Sequence, residues 1–236
     1  MTLSKRKQPN YSLGQIAILA TLSKESLGSL ERRCAWRSYE RGESIVAYLD
    51  ASDDVFFIVS GDVKVTIYSH AGKAVSFSIM SPGEIFGEYP AIDRGPRSAS
   101  VEARTDCLVA SLPAEAFREL LRTEHGVAQA LLPQLVRKIR ALTTRVYEFS
   151  TLAVKNRIQA ELLRLARLAH GDGRRARIVP APTHSEIASR VATHREAVTR
   201  ELNRLARMGL IERTSGALVV EDVERLAELV HTATSE

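Results

Sequence analysis

The spacing of apolar and polar residues changes character twice along this chain, and each change marks a boundary. Tyr39 to Leu112 is a series of short β-rich runs separated by turn residues. Val55-Phe56-Phe57-Ile58-Val59 ends at Gly61, and Val63, Val65 and Ile67 alternate with Lys64, Thr66 and Tyr68. Phe77 and Ile79 alternate again, Val101 and Ala103 follow, and Leu108 to Leu112 closes the series. Ala71-Gly72-Lys73 reads as a hairpin turn and Ser81-Pro82-Gly83 as a further reversal. Strand side chains alternate between two faces, so short runs of this kind with glycine turns predict a β-sandwich or jelly roll. Ahead of it, Ser23 to Leu30 reads as a short capped helix with Leu22, Leu27 and Leu30 on one side, and Met1 to about Tyr11 as a basic, polar arm.

Pro113 marks the first boundary, since a proline is well placed where a helix takes its first residue. Ala114 to about Arg122 reads as a short helix, and a long one is expected from about Glu124 to Leu152. Within it Ala128, Leu135, Leu142 and Phe149 recur every seven residues, with Leu132, Ile139 and Val146 interleaved at steps of three and four. That seam predicts a two-stranded coiled coil and hence a homodimer through the helix at 128–153; a helix packed on its own roll would give a similar pattern. Pro133 lies inside and is expected to kink the helix or delay its start. Thr143 and Thr144 interrupt the seam with hydroxyls, which suit contact with a ligand better than packing.

The second boundary follows Ala153. Arg157 to His170 is Arg- and Leu-rich, with Ile158, Leu162, Leu165 and Ala169 on one helical face, and Gly171-Asp172-Gly173 is expected to end it. Ile178-Val179 reads as a short strand. Ile211 to Arg213 and Leu218 to Val220, joined by Thr214-Ser215-Gly216-Ala217, read as a hairpin, and Glu221 to Val230 as a last helix. The expected class is α+β, with a β-roll at 1–113, helices at 114–153 and a third region at 154–236.

Between that strand and the hairpin, Thr183 to Leu210 spells two short helices and a tight turn. Thr183 with Glu186, and Thr193 with Glu196, each have the spacing of a capping box. Ile187 and Val191 are apolar on the first helix, Val198, Leu202 and Leu205 on the second, and Gly209 supplies a left-handed stop. This is a helix-turn-helix with a wing, and such a second helix lies in a DNA major groove. Opposite its apolar stripe fall Arg195, Glu196, Thr199, Arg200 and Asn203. An arginine fork matches O6 and N7 of guanine, and a glutamate accepts from the cytosine amino group. The bland alternative makes Glu196 a cap and the arginines a solvated face. His184 and His194 directly follow the two threonines, where phosphate contact or plain exposure fits better than catalysis.

Composition narrows the classes. The 236 residues carry a net charge of +5, 44% hydrophobic and 26% charged residues. The pI is about 9.4. A mild basic excess is compatible with a polyanion partner without requiring one. No apolar run reaches bilayer-spanning length and MTLSKRKQPN lacks the form of a signal peptide, so no membrane association is expected and the location is cytoplasmic. Two cysteines, Cys34 and Cys107, are too few for a disulfide framework or an iron–sulfur cluster, and Cys107 reads as a core residue. A metal-dependent jelly-roll enzyme would need clustered histidines. The six here, at 70, 125, 170, 184, 194 and 231, are scattered, and no nucleophile–base arrangement is evident, so neither an enzyme nor a metal site is expected.

One stretch of the roll does not read as strand. From Gly83 to Ala103, Gly87-Glu88 opens and Arg97-Ser98-Ala99 closes a segment broken by Pro90, Gly95 and Pro96. A glycine-rich bend followed by a fork-shaped cation and a hydroxyl suits a phosphate. Glu88 would then accept from a sugar hydroxyl. A surface loop with a solvated Glu–Arg pair is the alternative.

In this order of parts the chain resembles the cyclic-AMP receptor/fumarate-nitrate regulator (CRP/FNR) family of bacterial transcription factors over nearly its whole length. The family's phosphate cassette stands here as Gly87, Glu88, Arg97, Ser98 and Ala99. The resemblance implies the glutamate on the ribose 2′-hydroxyl, and the arginine and serine on a cyclic phosphate. It also implies Thr143, with Thr144 beside it, at the purine. The Arg-Glu-x-x-x-Arg signature stands as Arg195, Glu196 and Arg200 and implies palindromic TGTGA-like half-sites, with RNA polymerase as a further partner. Tyr89-Pro90 departs from the usual aliphatic start, and a threonine at 143 leaves cyclic AMP and cyclic GMP both open, because a hydroxyl can donate or accept. A family member acting without nucleotide, or with another effector, is the alternative.

Overall fold

The computed structural model describes residues 12–68, 74–171 and 173–234. The arm from Met1 to Tyr11, the turn at Ala71-Gly72-Lys73, His70 and Asp172 lie outside them. The chain forms two compact units that divide at Arg137/Lys138.

In the first unit, helix α1 (Lys24–Arg33) is capped by Ser23, whose side chain accepts from the Ser26 amide. Eight strands follow among the described residues: β1 (Ala35–Tyr39), β2 (Ser44–Val46), β3 (Val55–Ser60), β4 (Val63–Tyr68), β5 (Ala74–Met80), β6 (Ile85–Phe86), β7 (Ser100–Ala103) and β8 (Cys107–Leu112). They pair antiparallel in two sheets, ordered β1-β8-β3-β6 and β2-β7-β4-β5. The continuous apolar run of β3 follows from burial on both faces. Phe56 and Ile58 face the interior of the roll with Val63, Met80, Val101 and Val109. Val55 and Phe57 face the other way, into a helical layer with Leu30, Phe117, Leu120, Val127 and Leu131. That layer holds α1, α3 (Ala114–Thr123) and the start of α4 (His125–Thr151). Pro113 is the cap residue before α3 rather than its first residue.

Two expectations change here. The segment after Gly87 is not irregular throughout: Glu88–Asp93 forms a short helix, α2, entered from Gly87 at φ 80° and left through Arg94 at φ 63°. Pro90 is tolerated because it lies in the first turn, where its missing N–H has no intrahelical partner. The long helix starts at His125 and runs through Pro133, so the proline does not delay it.

In the second unit, α5 (Val154–Leu168), α6 (His184–Arg190), α7 (Arg195–Arg207) and α8 (Val223–Thr234) pack around a small antiparallel sheet. Its strands are β9 (His170–Gly171), β10 (Ala176–Ile178), β11 (Ile211–Thr214) and β12 (Ala217–Val220), in the order β11-β12-β10-β9. Ile158, Leu162, Ile187, Val198, Leu202, Leu205, Leu218, Val220 and Leu226 form one core. The helix at 157–170 ends earlier than expected, at Leu168, because His170 and Gly171 are drawn into pairing with Arg177 and Ala176. The last helix starts later, at Val223: β12 extends to Val220 and Asp222 then accepts from the Arg225 amide as a cap. Among the described residues no helix is long and apolar enough to cross a membrane.

Candidate functional site

The segment Gly87 to Ala99 brings its chemistry together by burial. Glu88 and Arg97 are each 2% exposed, which removes the reading of a solvated surface pair. Arg97 lies over the Phe56 ring at 5.3 Å. Its Nε donates to Ser52 Oγ at 3.1 Å, Nη1 to the Gly87 carbonyl at 3.1 Å and Nη2 to the Asp54 carbonyl at 2.9 Å. The backbone is tied as well, with Leu49 N donating to Arg97 O and Arg97 N to Asp50 O. Burial draws the Arg97 guanidinium below its ordinary value, and the carboxylates of Asp54, Asp50, Asp53 and Glu88 oppose that.

Gly87 is required here. A Cβ at this position would lie 2.5 Å from Arg97 Nη1 and 2.8 Å from the Asp54 carbonyl, and φ is positive. Arg94 (φ 63°), within this segment, and Leu49 (φ 64°), whose amide bonds Arg97 O, also hold left-handed backbone. Such conformations cost of order 1–3 kcal/mol each in non-glycine residues and gather at ligand sites and switch regions. Ser98 is exposed and Ala99 half-buried. The residue set therefore fits a phosphate-bearing ligand in type: a fork-shaped cation, a hydroxyl, a carboxylate and a bend. The fork itself is turned onto protein acceptors, the Gly87 carbonyl and the 50–54 loop.

On α4, Thr143 and Thr144 are exposed, and each hydroxyl donates to the carbonyl one turn back, Ile139 and Arg140, at 3.0 Å. A hydroxyl so engaged keeps lone pairs as an acceptor toward a partner. The seam residues Leu132 (61%), Ile139 (62%), Leu142 (48%), Val146 (65%) and Phe149 (41%) are exposed in the single chain.

The helix-turn-helix forms as expected at its first helix. Thr183 and Glu186 close a full capping box. At the second helix the expectation fails. Thr193 is buried, its amide bonds Ala188 O, and the cap residue of α7 is His194 with no side-chain cap. The turn uses left-handed backbone at Ala192 (φ 50°), which folds Thr193 inward and postpones the helix by one residue. Glu196 is thereby freed from capping and stands exposed with His194, Arg195, Arg200 and Asn203. Gly209 takes its left-handed conformation (φ 69°) after α7.

Thr199 and His184 do not share that exposure. The Thr199 hydroxyl bonds Arg195 O at 3.0 Å, and His184 Nδ1 lies 2.7 Å from the same hydroxyl. His184 Nε2 meets Arg213 Nη1 from the wing strand β11. The consistent assignment is a neutral imidazole protonated at Nδ1, donating to Thr199 and accepting from Arg213. Burial, then Arg213, then Arg195, hold the His184 pKa below its ordinary value of 6.5. A base with a lowered folded-state pKa binds fewer protons folded than unfolded, so stability is complete above about pH 6.5 and declines as the pH falls below it. We expect the thermal midpoint of the winged unit to drop on acidification from pH 7.5 to 5.5, and the slope to flatten in His184→Gln. Equal slopes in the two proteins would refute the assignment.

Three sets of partners lay outside the sequence reading: Ser52 and Asp54 on Arg97, Arg213 on His184, and an ionic cluster at Glu161. Arg213 and the 50–54 loop offered no signal. Glu161 did, since it falls on the helical face shared by Ile158, Leu162 and Leu165, where a carboxylate must find partners. Glu201 is the same case beside Val198, Leu202 and Leu205. It accepts from Gln159 Nε2 at 2.6 Å and from Arg204 through Nε at 2.9 Å and Nη2 at 2.7 Å, binding α7 to α5.

Comparison with known proteins defines the class. Residues 36–124 match the cyclic nucleotide-binding domain family and residues 156–229 the Crp-like helix-turn-helix domain family. The cAMP-activated global transcriptional regulator CRP of Salmonella typhimurium is 30% identical over 192 residues, spanning 79% of this chain and 90% of that protein. The CRP-like cAMP-activated global transcriptional regulator of Mycobacterium tuberculosis is 27% identical over 216 residues, 91% of this chain and 96% of that protein. The structure of a CRP/FNR-family transcriptional regulator from Thermus thermophilus superposes with a TM-score of 0.64 at 30% identity, covering 84% of this chain and 100% of that one. The chain belongs to the CRP/FNR family of transcription regulators.

Proposed function

We propose that this chain is a cytoplasmic homodimeric regulator whose grip on a palindromic duplex is set by a cyclic nucleotide, cyclic AMP foremost and cyclic GMP as the second candidate. The roll at 1–113 takes the effector, the helices at 114–153 join two chains, and 154–236 reads DNA. The observation that carries the reading is the burial of Glu88 and Arg97 in one segment, with Arg97 bonded to the Gly87 carbonyl. Glu88 and Ser98 would hold the sugar and phosphate together with Arg97, and Thr143 and Thr144 the purine. Bound there, the nucleotide supplies a compact negative charge to the roll.

On the DNA side, Arg195, Glu196, Arg200 and Asn203 present donors and acceptors from one exposed face of α7, with His194 and Thr183 at the helix starts. These would read TGTGA-like half-sites, while His184 and Thr199 hold the wing and α7 together behind them. RNA polymerase is the further partner proposed on the family resemblance.

A ligand shifts an equilibrium only by binding one state better, and the resulting coupling is reciprocal. Titrating a palindromic duplex at fixed salt with and without each nucleotide tests the proposal, because phosphate contacts make such affinities salt-dependent. Cyclic AMP is expected to raise affinity by roughly 5–150-fold, the usual span of allosteric coupling. Equal affinities would overturn it. A second reading, a family member working without nucleotide or with another effector, is favoured by one observation: the Arg97 fork already has protein acceptors on Nε, Nη1 and Nη2. Calorimetry with cyclic AMP and cyclic GMP separates the two.

A further inference from the structure

Beneath the helix-turn-helix, charged side chains from three helices converge on one carboxylate. The Glu161 side chain on α5 is 1% exposed. Its Oε1 faces Arg190 Nη1 of α6 at 3.0 Å, and its Oε2 faces Arg145 Nη2 of α4 at 3.4 Å and Arg164 Nη1 of its own helix. Arg164 also holds both oxygens of Glu148 on α4, at 2.8 and 3.0 Å. Arg145 does one thing more: its Nη1 donates to the backbone carbonyl of Arg190 at 3.0 Å. That carbonyl closes the C-terminal end of α6, where a helix favours a cation.

Arg145 makes the longest of the three arginine contacts to Glu161, at 3.4 Å, and so contributes least to holding that carboxylate. Arg145, Arg164 and Arg190 face Glu148 and Glu161, so one cation is in excess. Without Arg145 the remaining charges balance, and the core of the winged unit around Ile158, Ile187 and Val198 is untouched. Arg145 is thus dispensable for neutrality, yet it reaches from the dimer-seam helix to the last turn of α6. A short turn separates that last turn from α7, the helix bearing the DNA-facing residues.

We infer that Arg145 is a positioning residue that fixes the direction of α7 relative to the C-terminal half of α4. This deepens the proposed function, resting on its assignment of the purine to Thr143 and Thr144 of α4, and it assigns the transmitting contact to one guanidinium. A guanidinium suits the task because its planar fork serves a carbonyl and a carboxylate from two fixed nitrogens, whereas the donors of an ammonium share one nitrogen on a flexible stem.

The test is Arg145→Met in the full chain, with Arg145→Lys beside it. Nitroxides at Arg140→Cys on α4 and Arg207→Cys on α7, in labelled chains diluted with unlabelled ones, report the spread of α4-to-α7 distances. The native thiols are poor label acceptors, since Cys107 is buried and burial, with Glu31, pushes the Cys34 thiol up to about 12. The methionine variant is expected to broaden the distribution and to bring the ratio of operator affinities with and without cyclic AMP close to one. Its thermal midpoint should match the parent, and the lysine variant should fall between. An unchanged distribution in Arg145→Met would overturn the inference, as would broadening accompanied by loss of cooperative melting, which marks a merely structural role. If the parent shows no nucleotide effect while Arg145→Met still broadens the distances, the switch reading falls and the positioning role stands.

Discussion

Replacing Ile139 and Val146 together with glutamate is expected to turn the protein into monomers and to weaken operator binding by roughly 10²–10⁴-fold, the range by which linking two sites exceeds one alone. Both residues belong to the seven-residue repeat and are 62% and 65% exposed in the single chain. A monomer seldom leaves so many large apolar side chains along one helix in water. Burying one such side chain contributes about 1.5–3 kcal/mol, and two-fold symmetry presents every seam position twice. The double substitution removes four apolar side chains from a paired seam and sets four carboxylates against one another. Because neither position is buried within its own chain, the roll and the winged unit should melt as in the parent. Sedimentation at micromolar concentration checks the association state, and duplex titration at fixed salt checks the affinity. A stable dimer in that variant would show that the seam is not the joint.

Much of the architecture was legible because the hydrophobic period is imposed by burial. The run at 55–59 reads as a strand ending at Gly61, and it forms one, with Val55 and Phe57 packed outward and Phe56 and Ile58 inward. The stripe of Val198, Leu202 and Leu205 likewise fixes which face of α7 is exposed. Local hydrogen bonding was less legible. Thr183 and Thr193 have identical spacing to a glutamate, yet only Thr183 caps, because the left-handed step at Ala192 carries Thr193 into the core. Spacing alone cannot see that step.

At the site, residue types were legible and their partners were not. The sequence placed Gly87, Glu88 and Arg97 in one segment, but two of the three acceptors of the Arg97 side chain, on Ser52 and Asp54, come from a loop more than forty residues earlier in the chain. Glu161 and Glu201 mark the intermediate case. Each stands on an apolar face, which announces a buried polar contact without naming its partners, and besides an arginine three residues on, those partners come from other helices.

Arg97→Leu is expected to abolish the nucleotide response while leaving operator affinity without nucleotide at the parent level. Hydrogen bonds to charged groups are worth about 1.5–3 kcal/mol, so loss of the fork should weaken nucleotide binding by roughly 10–150-fold. Leucine keeps apolar contact with Phe56 but leaves Ser52 Oγ and the carbonyls of Gly87 and Asp54 without their donor. It also strips the cation from beside Asp54, Asp50, Asp53 and Glu88, so some loss of roll stability is expected. Arg97→Lys separates the two effects: it retains the charge among those carboxylates but cannot hold a fork, and it should bind nucleotide weakly at near-parental stability. Calorimetric affinity for cyclic AMP, read beside thermal midpoints of the parent and both variants, makes the distinction. Should the folded leucine variant bind nucleotide as the parent does and still respond on DNA, the buried fork at Arg97 would be structural, and the effector would have to be held by other residues.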